Sequence, residues 1–392
     1  MLLLVAGGVS LAALAAQDPL LCPLASDRLE RSVALTGSAD ALRAPQTELE
    51  IAAAREARSA RSRQALQGTF EAELARQSSP DAIAGNVMTL LADADADASR
   101  PAMQWLVVVG APALPQLHAA LADRATSDSQ KLRLLAAISE IGSTESIGPL
   151  LKMARSRADG LLYAPIFQVL ARIEPTQETI AFARDQLGSN IAPVWRAAAL
   201  VYLGRIRYQP AAPNVDTYTT VLEMPATVRV AGLYLGARLG VAEVLGRIEA
   251  ALIQATHPLE RETLLESLGE AAASTGQFTR IARAAGFSER DGSYRQDLAY
   301  CAFRTSSAAH KVELAYALLA DGRPAQRRVA MRYLIDNDRA ALASRVTGGA
   351  GSVMPLHMLM PRSGTVRMLF SEGRRMGYAL EHTGTAYVLR KI

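Results

Sequence analysis

LRLLAAISEIGSTESIGPLLKMA, residues 132–154, is the stretch whose reading decides the fold. Its first half is apolar at helical spacing and stops at Ile141-Gly142. Glycine suits that stop because it takes a left-handed cap at little steric cost. A short polar linker leads to a second apolar stripe, Ile147, Leu150, Leu151 and Ala154, again at helical spacing. The stretch predicts helix, tight turn, helix.

The same ending recurs along the chain. A hydrophobe plus Gly closes apolar-periodic segments at Val109-Gly110, Leu203-Gly204, Leu239-Gly240 and Leu268-Gly269. Ile173-Glu174-Pro175 fills the gap with a different breaker, and the stops fall 29 to 36 residues apart. Each is followed by a second apolar stretch, for example ALPQLHAAL, TIAFARDQL, VAEVLGRIEAAL or FTRIARAAGF. Self-similarity at this period marks a helical repeat. One helix pair of about 30 residues cannot bury its apolar face alone, so neighbours stack and share a continuous core.

Residues 132–154 resemble a HEAT repeat of the short type described in phycobilisome-lyase-like proteins. The resemblance rests on Arg133 early in the first helix, the Ile141-Gly142 end, and Pro149-Leu150-Leu151 opening the second. VWRAAALVYLGRI repeats the first half with Arg196 and Leu203-Gly204, and VRVAGLYLGARLG does so with Arg229 and Leu239-Gly240. WLVVVGAPALPQLHAAL keeps Gly110, Pro115 and Leu117 without the arginine. The resemblance covers residues 80–346 and weakens after Gly269; Pro210 and Pro213 lengthen one linker. It implies an all-α fold, a right-handed α-solenoid of about seven or eight helix pairs, with second helices lining the concave face.

The chain has 392 residues, 50% apolar, 5% aromatic and 20% charged, with a formal charge of +4. That apolar share excludes a wholly disordered chain. Two cysteines exclude a disulfide scaffold. The charge is too small to argue for nucleic acid, which is not expected as a partner. Lysine occurs only at Lys131, Lys152, Lys311 and Lys391, so arginine carries the positive charge.

Residues 1–17 carry no charged side chain, and the apolar run 2–16 has the length of a signal-peptide core. Ala13 and Ala15 fit a cleavage site before Ala16, although no Lys or Arg precedes the run. Residues 1–16 are read as a signal peptide, with an uncleaved anchor or a buried helix as alternatives. After cleavage no stable membrane span is expected. The expected location is periplasmic or secreted, in a bacterium. Leu20-Leu21-Cys22 lacks the small residue a lipoprotein signal needs before its cysteine. Cys22 and Cys301 either pair in an oxidising compartment or leave Cys301 as a small buried hydrophobe. Residues 17–79 form an extension with a long helix, striped by Leu66, Phe70 and Leu74. Its arginines are read as part of a solvated, charge-laced face, with an RNA- or lipid-binding face as the alternative.

The solenoid is placed at 80–347. A Gly-rich hinge and small β segment follow at 348–392, starting at Gly348-Gly349-Ala350-Gly351. Val366, Met368 and Phe370 alternate with other residues, as do Tyr378 and Leu380, then Tyr387 and Leu389. Two or three antiparallel strands are predicted over 365–391, turning at residues 382–385 and capping the last helices. The Arg374-Arg375 pair is assigned to a turn, in a solubilising role.

No two of His118, His257, His310, His357 and His382 stand at metal-ligand spacing, so no metal or cofactor is expected. Asp93, Asp95 and Asp97 open like a calcium loop, but Ala98 replaces the needed Gly and Gln104 the needed Glu. The segment is read as a linker into Ser99 as a helix N-cap. No nucleophile elbow, P-loop or usable dinucleotide fingerprint occurs, so no catalytic residue is assigned. Arg155, Arg184, Arg247, Arg280 and Arg283 dot the second helices. Stacked on a concave face they would grip an acidic protein partner; as ordinary surface charge they would pair with acids such as Asp185 and Glu249. The expected function is a non-catalytic protein-binding scaffold or adaptor in the cell envelope. The alternatives are a lyase-like enzyme whose site is assembled from several repeats, and an inhibitor or immunity partner of an exported enzyme.

Overall fold

A computed structural model describes residues 72–92, 96–156, 162–188, 190–220, 224–348, 356, 363–382 and 386–392. The expected signal segment 1–16, the extension up to residue 71, Cys22, the hinge glycines 349 and 351 and the turn 383–385 lie outside the described residues.

The architecture is all-α with one C-terminal hairpin. Helix α1 (Pro80–Leu91) precedes eight helix pairs among the described residues. They are α2 (Ala96–Val109) with α3 (Leu114–Ala122), α4 (Asp128–Ile141) with α5 (Ile147–Ser156), and α6 (Tyr163–Arg172) with α7 (Gln177–Asp185). Next come α8 (Pro193–Arg205) with α9 (Val215–Thr219), α10 (Ala226–Leu239) with α11 (Val244–Gln254), and α12 (Pro258–Ala271) with α13 (Thr275–Ala284). The last two are α14 (Gly292–Thr305) with α15 (Ala308–Asp321), and α16 (Pro324–Asn337) with α17 (Arg339–Val346).

Local chemistry accounts for the bounds. Ser127 and Gln130 form a capping box at the start of α4, and Gly142, at φ +62°, closes it in the left-handed region. The buried stripe of α5 is Ile147, Leu150, Leu151 and Ala154. At α2 the expectation fails: Ser99 is buried inside the helix, three residues after its start, and is not an N-cap.

Successive first helices, α2 to α14, pack directly on one another, while successive second helices barely touch. The first helices are the crowded, deeply buried inner row, and the second helices form the outer one. Small residues permit the crowding: at Gly204 of α8 a side chain would meet the Tyr234 ring at 3.2 Å and the Leu235 Cα at 3.3 Å. The result is unbroken burial along the inner helices, at residues 196–204, 230–237 and 263–270.

The regular alternation ends at α14. There Arg323, at the head of α16, forks onto Asp297 at 3.0 and 2.8 Å, and both side chains are almost fully buried. Beyond the hinge, the strand expected around 366–370 is a helix, α18 (Gly364–Arg375). Ser363 caps it by accepting the Val366 N–H, and Val366, Leu369 and Gly373 face inward at helical spacing. The hairpin is real but shorter than predicted. β1 (Tyr378–His382) pairs antiparallel with β2 (Tyr387–Lys391), Leu380 opposite Leu389. Tyr387 and Leu389 join the core of the last helices, so the hairpin caps that end.

Leu150 is fully buried between units. Leu150→Ala is expected to lower stability by about 2–5 kcal/mol. A urea titration should show a lower midpoint at an unchanged slope.

Candidate functional site

Burial along the inner helices leaves charge mainly near their ends. One register position at the C-terminal end of each inner helix carries Val108, Glu140, Arg172, Arg205, Arg238, Glu270 and Arg304, spaced 32 to 34 residues apart. This ladder crosses the units along the row of first helices. Arg172 bonds the Glu140 carboxylate and, at 3.3 Å, Ser139 Oγ. Arg238 pairs with Glu270, which also accepts the Tyr300 hydroxyl at 2.8 Å and meets Arg207 at 3.4 Å. Arg304 donates to Gly269 O at 3.3 Å and to Ala272 O. The ion pairs are nearly dry: side-chain exposure is 6% for Arg172, 13% for Glu140 and 3% for Glu270.

Helix α18 returns across the chain and seats on this ladder. Arg374 donates to Val108 O at 3.2 Å; Arg375 donates to Ser139 O at 3.0 Å and Glu140 O at 2.9 Å. These carbonyls belong to the last turns of α2 and α4, where the helix dipole favours a cation. Glu372 is fully buried and accepts Arg332 at 2.6 Å and Arg375 at 3.1 Å, with Arg172 at 3.8 Å. The expected solubilising role of Arg374-Arg375 is therefore wrong. They close the stack, because the turn expected there is the end of a helix aimed at two others.

Burial would push the Glu140 carboxyl up, but the Arg172 guanidinium, with Arg328 and Arg375 behind it, holds it at about 2. Glu372 is lowered in the same way: Arg375, Arg332, Arg172 and Arg328 outweigh its burial. Burial pulls Arg375 down to about 10, helped by Arg172 and opposed by Glu372 and Glu140.

One turn before Arg172, Gln168 lines a half-open hollow between α6 and α8. Its walls are Ala164, Phe167, Gln168, Ala198, Val201 and Tyr202, with Arg205 beside them, and the space between them has room for about one water. The Tyr202 hydroxyl donates to Thr179 of α7 at 2.8 Å, so its ring runs toward the outer layer and forms the floor. Gln168 is 4% exposed, and among the described residues neither its amide nitrogen nor its oxygen has a hydrogen-bond partner.

The sequence-nominated arginines lie on the outer layer, apart from this site. Arg155 pairs with Glu178 at 3.1 Å, Arg247 with Asp216 at 2.5 Å, Arg280 with Glu249 at 2.9 Å and Arg283 with Glu289 at 3.0 Å. The first three pairs join neighbouring second helices; Arg184 is exposed and has no recorded partner among the described residues. Such exposed pairs are worth little. The ladder itself was missed, although its 32- to 34-residue recurrence stands in the sequence. Among the described residues no single helix is long and apolar enough to cross a membrane. No protein-family model matches the chain, and no curated protein matches it.

The charge balance at the α18 seat fixes its pH dependence. Glu140 has a folded value below its unfolded one, so its contribution is complete above about pH 4.5 and is lost as pH falls through about 2. Trp105 packs in the same cluster and reports docking. Its fluorescence should change over that acid window, and Glu140→Gln should flatten the change. Arg375→Met breaks a buried pair and is expected to cost about 3–5 kcal/mol by urea titration.

Proposed function

We propose that the protein is a non-catalytic binding scaffold of the bacterial cell envelope, holding a protein partner along its helix stack. The α18 clamp supports this reading. By gripping α2 and α4 at one end of the stack and Arg332 of α16 at the other, it ties the two ends together. A surface fixed before binding loses little conformational freedom on docking. The outer arginines are the weaker candidate contact, since four of the five are already matched to acids. Export rests on the uncharged apolar run at 2–16, which carries the periplasmic or secreted location.

Ile392 is exposed, so a C-terminal affinity tag leaves the stack intact. Capture of the full chain from an envelope fraction should bring down one protein partner in stoichiometric amount, and Arg375→Met should reduce it. N-terminal sequencing of the captured chain should begin after residue 15 or 16. Capture of no partner, together with turnover of a small molecule by the purified chain, would replace the scaffold with the enzyme reading.

A further inference from the structure

We infer that the C-terminal ends of α8, α10, α12 and α14 form a docking edge for an acidic segment of a protein partner, whose carboxylates would sit on Arg207, Arg238 and Arg304. Excess positive charge, exposure, and a carboxylate that the chain itself lays on the same ladder carry the argument.

The charge of this edge is unbalanced. Arg207 and Arg238 both pair with Glu270, which also accepts the Tyr300 hydroxyl, so one carboxylate serves two guanidinium groups. Arg304 donates to the Gly269 and Ala272 carbonyls, and among the described residues no carboxylate is recorded against it. Arg207, Arg238 and Arg304 all bear on the Tyr300 hydroxyl, and Arg205 opposes Arg238 from the neighbouring helix end. Glu266, one turn before Glu270, also acts on Arg238. Four arginines thus gather around two buried carboxylates.

The excess is within reach of solvent. Arg207 keeps 54% of its side chain exposed while meeting Glu270 at 3.4 Å. Its φ is +52°, and no other described residue except glycine has a positive φ. That backbone is uncommon for a residue with a Cβ and persists where its surroundings impose it. Here it follows the end of α8, and the guanidinium reaches past α10 to α12. Arg205 and Arg304 are half-buried beside it.

The other half of the ladder shows what such a row accepts. At α6 the Glu372 carboxylate arrives on α18, from outside the stack, and meets Arg172 and Arg332. The recorded partners of Arg207, Arg238 and Arg304 all belong to the stack itself.

Spacing and ring burial select the partner. Packed helices lie about 8–10 Å apart, and acids three residues apart on an extended chain span about 10 Å, so such acids fall rung to rung. The planar fork of arginine matches each carboxylate bidentately. Single-stranded nucleic acid also needs aromatic faces to stack on, and Tyr234 and Tyr300, the rings of this edge, are buried.

This inference rests on the scaffold reading and names its partner's chemistry. The two fail separately. Capture of no partner with acidic-peptide binding intact removes the scaffold and keeps the edge; partner capture unchanged in Arg207→Asn removes the edge alone.

The test titrates a fluorescein-labelled alanine peptide, with Glu at every third position, with the full chain and reads anisotropy. Its Gln counterpart and an oligothymidylate of equal charge are the comparisons. The Glu peptide should bind saturably and more weakly at high salt, because the edge is exposed. The Gln peptide should bind at least tenfold more weakly. Asparagine tolerates the left-handed backbone, so Arg207→Asn should fold normally and weaken the Glu peptide at least fivefold. Arg207→Lys, which keeps the charge, should recover part of that loss. Arg155→Gln combined with Arg280→Gln removes two exposed outer arginines and should change nothing. No saturable binding of the Glu peptide, unchanged binding in Arg207→Asn, an equal loss in the outer double variant, or tighter binding of the oligothymidylate overturns the proposal.

Discussion

A helix packed on every side has few places for a charge, and that constraint organises this protein. The inner helices α8, α10 and α12 are buried over unbroken runs of their length. Charge collects near their C-terminal ends, where the last carbonyls lack helical partners and the dipole favours cations. Arg172, Arg205, Arg238 and Arg304 fit that place directly. Glu140 and Glu270 oppose the dipole and are held there by arginines of neighbouring helices, Arg172 and Arg238. Removing one partner from such a pair strands a charge in a poorly solvated place. Each unit is thus specified by its neighbour at the helix ends as well as through apolar contact.

The α18 seat extends the same logic over a long distance. Arg374 reaches a carbonyl 266 residues away, and Arg375 reaches two at about 235. A stack held only by nearest neighbours can flex and fray at its ends. Here the final helix repeats the arginine-on-carbonyl contact between units that are not neighbours. Glu372 keeps that arrangement in balance. Buried among Arg332, Arg375 and Arg172, it offsets like charges that would otherwise repel at close range. The hairpin after it covers apolar surface that the last pair would expose, through Tyr387 and Leu389.

What was legible in the sequence was what depends on local period. The helix-turn-helix unit at 132–154, its glycine stop and its buried stripe are all local facts. So is the hairpin, whose alternation survives in β1 and β2. Residues 366–370 misled because alternation over five residues is also compatible with a helix once Leu369 is counted; Val366, Leu369 and Gly373 then share a face. Ser99 misled because a capping residue type does not by itself mark a helix start. The seat of α18 was not legible at all, since no local pattern at 374–375 names a carbonyl at 108 or 140. The charge ladder was legible in principle. It was overlooked because the resemblance to HEAT repeats directs attention to second helices, and here the crowded row is the first.

The hollow at Gln168 follows from the same geometry. Stacked inner helices meet through small residues, and Ala164 against Ala198 leaves a gap where larger pairs would close it. A gap alone is a packing defect, and a natural core would line it with apolar atoms. This one is lined by a buried amide, one turn from Arg172 and beside Arg205. A leucine at residue 168 would remove two unpaired polar atoms at nearly the same volume, so the glutamine costs stability where it stands. Among the described residues, stacking thus leaves a buried amide uncompensated one turn from the Arg172–Glu140 pair.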